Sequence, residues 1–263
     1  MAVAAHYDTP GAWAKGADPA YEALGRAVVA ASPVGFEGRT IADLGAGTGA
    51  TSRAIAAAGG QTLAVDLALP MLAHNRATRP PAAAADITAL PFGDGRVGGA
   101  VAAFSLSHVT DPAAVLREAA RVTASGGPVL AGVFAAAGPR HEVSVIVDAL
   151  AAEGGWSPPA WYRDLKDHLE PQVGADDALA RLAAAAGLMA INVSVVEVDA
   201  DLHTAEALVE WRLSSPAMAP FVNGLSSDAR VGLCEAACQA LGEPVQPLWL
   251  AVRILSSVAP ATR

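Results

Sequence analysis

From residue 39 onward, short apolar runs alternate with stretches in which apolar residues recur at helical spacing. This alternation is typical of βαβ units that build a parallel sheet. It predicts strands at residues 40–44, 62–66, 82–85, 97–104 and 128–134, with helices near residues 49–58, 70–77 and 112–123 between them. The first half of the chain therefore predicts an α/β domain.

The helix predicted at residues 112–123 has the clearest boundaries. Asp111 is placed to cap its first turn, and Pro112 suits the first helical position. Apolar residues from Val115 to Val122 recur on one face, and a Ser-Gly-Gly turn follows.

Beyond Phe134 the alternation stops. Residues 138–174 hold Gly-Gly-Trp, Ser-Pro-Pro and Glu-Pro breakers around short helical pieces, which indicates an inserted helical cap. The pattern resumes with a helix at residues 175–186, a strand at 191–198, several helices through Leu241 and a closing strand at 248–256. We predict a doubly wound, mostly parallel seven-stranded sheet in residues 39–263, preceded by an N-terminal helical cap segment in residues 1–38.

Composition and charge narrow the range of partners. Of the 263 residues, 53% are hydrophobic and 16% charged, which favours a compact globule over a disordered chain. The net charge of −9 gives no general attraction to nucleic acid or to anionic membranes, although a local basic patch would escape this count.

The first residues have no basic region before an apolar one, and the apolar stretch at residues 129–137 is too short to span a bilayer. We expect a cytoplasmic protein, monomeric or homodimeric, that acts on a small molecule.

The two cysteines give no sign of a metal site. Cys234 and Cys238 could share one helical face, but no further histidine or cysteine lies nearby to complete a zinc site. We expect buried free thiols and no bound metal.

A glycine-rich loop is the strongest functional signal. Residues 41–49, Ile-Ala-Asp-Leu-Gly-Ala-Gly-Thr-Gly, end a predicted strand and open a predicted helix. Glycines there permit a tight turn and let a ligand approach free backbone amides. Because Gly45, Gly47 and Ala50 also satisfy the dinucleotide pattern Gly-x-Gly-x-x-Gly/Ala, the loop alone leaves NAD open.

Two acidic residues follow at later strand ends, of which the first also suits NAD and the second separates these alternatives. Asp66 lies 23 positions after Asp43, where it can accept hydrogen bonds from both hydroxyls of a ribose. Asp86 and Ile87 follow the third predicted strand, and a second acid there suits a cofactor whose adenine amine needs an acceptor. Each aspartate also has a simpler interpretation, as a loop or helix cap.

Four motifs in order resemble the class I S-adenosylmethionine-dependent methyltransferases: IADLGAGTG, AVDLALPMLAHNR, AADITALPFGDG and AFSLSHVTDPAAVLREAARVTASGGPVL. The resemblance covers residues 39–134 and is closest to the branch with ubiquinone- and menaquinone-biosynthesis methyltransferases and many tailoring enzymes of bacterial secondary metabolism. It implies the cofactor S-adenosylmethionine and the product S-adenosylhomocysteine.

The resemblance also implies a role for each matching residue. The methionine end of the cofactor would face Asp43 and the loop residues Gly45, Ala46, Gly47 and Gly49, with the backbone at Phe104 and Ser105 beside it. Asp66 would hold the ribose, Leu67 and Met71 would flank the adenine, Asp86 would bind its amine and Ile87 would pack on its ring. Tyr7 or Trp13 would close the site.

Two departures from the family pattern bear on function. Val97-Gly98-Gly99 stands where relatives usually have Phe-Asp, which we expect to affect packing. The frequent His-His pair is Ser107-His108, which leaves His108 as its only histidine.

Methyl transfer from a sulfonium is an in-line displacement that alignment and desolvation can accelerate, so a base is optional. His108 is the positional candidate for a base, with a structural or capping role as the alternative. Candidate substrate contacts are His141, Trp156, Trp161, Tyr162, His203 and Trp211, each of which can instead be a surface or core residue.

The sequence predicts a methyltransferase for a small, largely apolar metabolite of secondary metabolism. One alternative is a cyclase or other non-methylating enzyme that uses the same cofactor on the same scaffold. A second is an NAD-dependent oxidoreductase, which is disfavoured because no Tyr-x-x-x-Lys-like constellation follows the loop.

Overall fold

A computed structural model describes residues 3–135 and 140–261 of the chain. Its centre is a seven-stranded sheet in the order β3-β2-β1-β4-β5-β7-β6. The strands are β1 Thr40–Leu44, β2 Gln61–Asp66, β3 Ala82–Ala84, β4 Gly99–Ala103, β5 Pro128–Phe134, β6 Met189–Asp199 and β7 Trp249–Val258. Strands β1 to β5 are parallel, and β7 pairs antiparallel with both β5 and β6. The predicted doubly wound, mostly parallel sheet is confirmed.

The middle of the sheet is buried on both faces. Every residue of β4 is buried, as are the first six residues of β5 and the last four of β1. Continuous apolar runs are expected for parallel strands that are covered by helices on both sides. Gly99 lies between Ile41 and Pro128, where a Cβ atom would come within 2.9 Å of each side chain. The glycines that replace the usual Phe-Asp therefore serve close packing.

The helices of the first half lie between these strands, and their bounds are α3 Ala50–Ala57, α4 Leu69–Ala73 and α5 Pro112–Val122. Asp111 caps α5, because its Oδ1 accepts a hydrogen bond from the Ala114 amide at 3.0 Å, as predicted. Helix α4 is shorter than predicted. His74 is extended after its last turn and Asn75 is left-handed with φ 54°, so the chain leaves the helix there.

The remaining helices are α1 Pro10–Gly16, α2 Asp18–Ala30, α6 Glu142–Glu153, α7 Ala160–Asp164, α8 Glu170–Gly174, α9 Ala178–Ala185, α10 Ala205–Leu213, α11 Ala219–Gly224 and α12 Ser227–Leu241. Of these helices, α2 packs against β4, β5 and β6, and α9 packs against β6 and β7. A π-helical turn, Leu165–Leu169, joins α7 to α8. Val147 of α6, Leu208 of α10 and Ala237 of α12 share a core that is separate from the two cores on the sheet. In the cap predicted at residues 138–174, α6 thus packs with α10 and α12, whereas α8 packs against β5 and α9. Residues 136–139 lie outside the described residues.

Helix α12 carries both cysteines as free thiols. They are half-buried, less than the fully buried position expected from their residue type. Among the described helices, none combines the length and apolarity that a membrane crossing requires.

Candidate functional site

A cavity of about 490 Å³ opens at the carboxyl ends of β1, β2 and β4. Parallel strands bring the residues that follow each of them to this one edge, which is where ligands of doubly wound sheets bind. Eleven of the residues predicted to contact a cofactor line the cavity: Tyr7, Gly45, Ala46, Gly47, Asp66, Leu67, Met71, Asp86, Ile87, Phe104 and Ser105. Asp43 and Gly49 do not line it.

The glycine loop forms the floor of the cavity between β1 and α3. Gly45, Gly47 and Gly49 all have positive φ, at 79°, 54° and 100°. Gly45 also has no room for a side chain, because a Cβ atom would lie 2.4 Å from Cβ of Ser105. Ser105 is fixed by its hydroxyl, which donates to the Leu44 carbonyl at 2.6 Å. The turn therefore requires glycine for both its conformation and its close contact with the end of β4.

Asp66 at the end of β2 is tied to this loop. Its Oδ2 accepts a hydrogen bond from the Gly47 amide, and its Oδ1 accepts one from the Ala68 amide, both at 2.8 Å. Burial raises the pKa of Asp66, and these two backbone hydrogen bonds oppose the rise. The carboxylate is thus held in one orientation at the cavity wall, and each oxygen keeps a lone pair for a ligand hydroxyl.

Asp43 lies on β1, beneath the loop. Only 1% of its surface is exposed, and its Oδ2 accepts a hydrogen bond from the Ser52 hydroxyl at 2.6 Å. Burial raises its pKa to about 7, although the Ser52 hydrogen bond opposes this. Asp43 thus links β1 to α3 from below, and Gly49 occupies the N-cap position of α3.

The far wall of the cavity combines an acid with apolar side chains. Oδ1 of Asp86 accepts hydrogen bonds from the Thr88 amide and hydroxyl, at 2.8 and 2.7 Å. Met71 and Ile87 are almost fully buried, whereas Leu67 is 48% exposed. Asp86 therefore caps its own turn, as the simpler interpretation holds, and it also lines the cavity.

Aromatic rings form the opposite wall. Tyr7 packs edge-on against Trp13 with ring centroids 5.5 Å apart, and Trp13 lies 4.8 Å from Tyr21. Tyr21 in turn contacts Phe104 at 5.6 Å. Tyr7 and Trp13 were both candidates to close the site, and both line it. Tyr21 was missed, because within α2 it reads as one more residue of a buried helical face.

His108 also lines the cavity, at the end of the 3₁₀ turn Leu106–His108 that follows β4. Its Nε2 lies 3.2 Å from the Tyr7 hydroxyl, and the two rings are 5.4 Å apart. Burial lowers the pKa of His108 to about 4, with a further lowering from the charge of Lys166. Burial also raises the pKa of Tyr7. Near neutral pH, this is a neutral imidazole beside a protonated phenol.

The candidate substrate residues separate into two groups. Trp161 lines the large cavity and also a smaller neighbouring one of about 340 Å³, which Trp156 helps to line. Tyr162 contacts Trp161 edge-on at 5.7 Å but does not line the large cavity. Asp164 and Leu169 do line it, and no sequence signal had singled them out.

The other three candidates lie away from both cavities. Trp211 packs against the core shared by α6, α10 and α12. His141 caps α6 by accepting a hydrogen bond from the Val143 amide at 3.2 Å. His203 is exposed and lies 3.8 Å from Asp199, with Asp201 close by.

The group of Asp199, Asp201 and His203 brings its potential ligand atoms within 4.8 Å of one another. Asp201, however, already forms an ion pair with Arg26. Exposed clusters of this kind are common without a metal ion, and no other feature of this group indicates one.

Comparison with known proteins agrees with this geometry. Residues 42–131 match the family model described as a methyltransferase domain. Demethylmenaquinone methyltransferase of Mycobacterium tuberculosis is 38% identical over 97 residues, which are 37% of this chain and 42% of that protein. The chain therefore matches less than half the length of such curated relatives.

Solved structures share the fold at low sequence identity. Phosphoethanolamine N-methyltransferase 2 of Haemonchus contortus, in complex with S-adenosylhomocysteine, superposes with a TM-score of 0.56 at 18% identity, over 90% of this chain and 52% of that one. The cyclase SpnF superposes with a TM-score of 0.56 at 18% identity, over 92% of this chain and 81% of that one. Taken together, the ordered motifs, the sheet topology and the family match show that residues 42–131 are similar to the methyltransferase domain and that the fold is the one shared by solved S-adenosylmethionine-dependent methyltransferases.

Proposed function

We propose that this chain transfers the methyl group of S-adenosylmethionine to a small, largely apolar acceptor that binds beside Tyr7 and His108. One observation carries the proposal: a single cavity joins the glycine loop and the fixed carboxylate of Asp66 to the Tyr7–His108 pair. Its volume of about 490 Å³ is in the usual range for small-molecule sites.

The residues around the cavity fit an S-adenosyl group. The free lone pairs of Asp66 suit the two hydroxyls of a ribose, and Oδ2 of Asp86 has no partner among the described hydrogen bonds, so it can accept from an adenine amine. Leu67, Met71 and Ile87 would flank the adenine ring. The amides of Gly45 and Ala46 donate to the Val65 carbonyl and that of Gly47 donates to Asp66, so these loop amides are not free, contrary to the sequence prediction. The methionine end would instead lie against the backbone of Gly45, Ala46 and Gly47, with the backbone at Phe104 and Ser105 beside it.

Because Asp43 is buried beneath the loop, its role would be to stabilise the loop and not to contact the cofactor. Asp43 would hold the loop in place through Ser52 and α3, and the loop would make the contacts with the cofactor. Gly49 would act in the same indirect way, as the N-cap of α3.

When bound, S-adenosylmethionine would supply an electrophilic methyl group and leave as a neutral thioether. His108, neutral near pH 7, can accept a proton from an acceptor hydroxyl. Tyr7 stays protonated, and in the tautomer whose Nε2–H donates to the Tyr7 hydroxyl oxygen, Nδ1 of His108 keeps the lone pair that takes this proton. The aromatic side chains around the pair exclude water from the reacting atoms.

Calorimetry with S-adenosylhomocysteine and with NAD tests the cofactor assignment. We expect binding of the first and no binding of the second, and the reverse would overturn the proposal. S-adenosylmethionine with an isotopically labelled methyl group would then be offered with a panel of phenols, naphthols and reduced demethylmenaquinone. The label is expected in the product by mass spectrometry. Bound cofactor with a converted but unlabelled product would favour the cyclase alternative instead.

A place in secondary metabolism, a cytoplasmic location and a monomeric or homodimeric state remain predictions from the sequence. The same holds for the expectation that neither nucleic acid nor membrane is a partner.

A further inference from the structure

The neighbouring cavity of about 340 Å³, called here the outer cavity, is lined by side chains from three segments of the chain. These segments lie at residues 6–8, 155–161 and 216–221. Most of the lining is apolar, with two tryptophans, one phenylalanine and three prolines. The outer cavity therefore suits a hydrocarbon or aryl group better than a polar one.

The outer cavity shares a wall with the cavity described above, called here the inner cavity. Trp161 lines both of them. Three successive residues near the N-terminus also line the two cavities in turn. Tyr7 lines the inner cavity, whereas His6 and Asp8 line the outer one. The hydroxyl of Tyr7 that meets His108 thus belongs to a residue flanked on both sides by residues of the outer cavity.

A single stacked pair of rings stands at this common wall. The imidazole of His6 stacks on Trp161 with ring centroids 4.4 Å apart and an interplanar angle of 5°. Trp161 belongs to α7, a helix of five residues, none of which is buried. Nε2 of His6 is itself shielded from solvent and has no hydrogen-bond partner among the described residues. No described side-chain hydrogen bond holds either ring, so stacking is the contact between them at this wall.

Charge gives a second indication of what the two cavities accept. The inner cavity is lined by the carboxylates Asp66, Asp86 and Asp164, and the outer cavity by Asp8. No lysine or arginine is among the described residues that line either one. An acceptor with a phosphate or carboxylate group would meet carboxylates, and no lysine or arginine side chain, in the described lining of both cavities.

We infer that the outer cavity holds the distal part of the methyl acceptor, and that this part is an uncharged hydrocarbon or aryl tail. The reacting end of the acceptor then lies at Tyr7 and His108, and the tail passes the His6–Trp161 pair. This inference rests on the proposed function, because it places the two ends of one acceptor in adjoining cavities.

A series of 4-alkylphenols tests the inference on the full chain saturated with S-adenosylhomocysteine. Calorimetric dissociation constants would be compared for 4-ethylphenol, 4-butylphenol and 4-hexylphenol. Because burial of each methylene strengthens binding about threefold to fourfold, the dissociation constant is expected to fall by that factor per methylene. In Ser157→Trp, where an exposed lining residue is replaced by a ring that fills the outer cavity, the gain from ethyl to hexyl is expected to disappear.

Ser227→Trp is the matched control, since Ser227 is an exposed serine at the start of α12 and lines neither cavity. It is expected to keep the dependence on chain length. The inference would be overturned if S-adenosylhomocysteine binds and the dissociation constant depends on alkyl length in Ser157→Trp as it does in the native chain. It would also be overturned if the native chain shows no such dependence. Failure of S-adenosylhomocysteine to bind would instead overturn the proposed function, and the inference with it.

Discussion

The hydroxyl of Tyr7 lies 3.2 Å from Nε2 of His108, across 101 positions of sequence. The contact joins the segment before α1 to the turn after β4, and both side chains face the inner cavity. Burial keeps the imidazole neutral down to a pH of about 4 and keeps the phenol protonated. The pair therefore combines a free base with a group that orients it.

Replacement of His108 tests whether this base takes part in the reaction. For a hydroxyl acceptor, His108→Gln is expected to lower kcat about 100-fold, because general-base catalysis contributes roughly 10²–10⁴-fold. Binding of S-adenosylhomocysteine should stay unchanged. His168→Gln, at an exposed position outside the cavity lining, is the control and should react at the native rate. An unaltered kcat in His108→Gln would assign His108 a structural role.

The lowered pKa of His108 also predicts a pH dependence of stability. In the unfolded chain this histidine titrates near its ordinary pKa of 6.5, whereas in the folded chain its pKa is about 4. Between these values the unfolded state binds more protons, so the free energy of unfolding falls as the pH decreases from about 6.5 to about 4. Thermal unfolding of the native chain and of His108→Gln, measured between pH 6.5 and pH 4, tests this prediction. The variant should lose less stability on acidification, and parallel curves would contradict the prediction.

Asp66 is the residue on which cofactor affinity should depend most directly. Asp66→Ala removes the acceptor for the ribose hydroxyls and the anchor of the Gly47 amide, so binding of S-adenosylhomocysteine should weaken by about 1–3 kcal/mol. Asp66→Asn keeps one acceptor oxygen and should lose less. Asp228→Ala, in the first turn of α12, is the surface control. If Asp66→Ala binds S-adenosylhomocysteine as tightly as the native chain does, Asp66 does not contact the cofactor.

The contact between Gly45 and Ser105 predicts a difference between two glycine substitutions. Gly45→Ala places an L residue at φ 79° and a Cβ atom 2.4 Å from Cβ of Ser105, so it should cost about 2–5 kcal/mol of stability. Gly126→Ala has only the conformational cost of a positive φ, which is 71°, because no atom lies within 4 Å of its Cβ position. Its expected loss of stability is about 1–2 kcal/mol. Equal losses in denaturant unfolding would show that the Ser105 contact is unimportant.

The sheet was largely predictable because the apolar pattern of a strand buried on both faces is unmistakable. β4 and β5 follow from continuous apolar runs. The full length of β6 could not be predicted in this way. Met189 is exposed and joins the strand through backbone pairing with Val258, so no side-chain pattern marks it. A bulge at this end, with Ala190 left-handed, hides the register further.

The cavity lining at the strand ends could be predicted because its residues directly follow strands and belong to recognisable motifs. The contacts on the opposite wall could not. Tyr7 meets His108, and His6 meets Trp161, only after the N-terminal segment has folded across the cap. Asp43 was placed at the cofactor because it belongs to the glycine motif, but its position on β1 turns it beneath the loop.

That buried position of Asp43 gives the last prediction. In the unfolded chain this carboxyl titrates near pH 3.8, whereas burial raises its pKa to about 7 in the folded chain. Between these values the folded state binds more protons, so ionisation of Asp43 costs stability as the pH rises from about 4 to about 7. Asp43→Asn keeps an acceptor for the Ser52 hydroxyl but removes this charge.

Relative to the native chain, Asp43→Asn should therefore gain stability as the pH rises, by up to about 4 kcal/mol between pH 4 and pH 7. The difference between the two unfolding curves isolates Asp43, since His108 changes stability in the opposite sense and is present in both proteins. Asp228→Asn, with an exposed carboxylate, should show no such gain. A constant difference between Asp43→Asn and the native chain across this range would mean that Asp43 is ionised at low pH in the folded state. The loop would then rest on a buried negative charge, available to attract the positively charged methionine end of the cofactor.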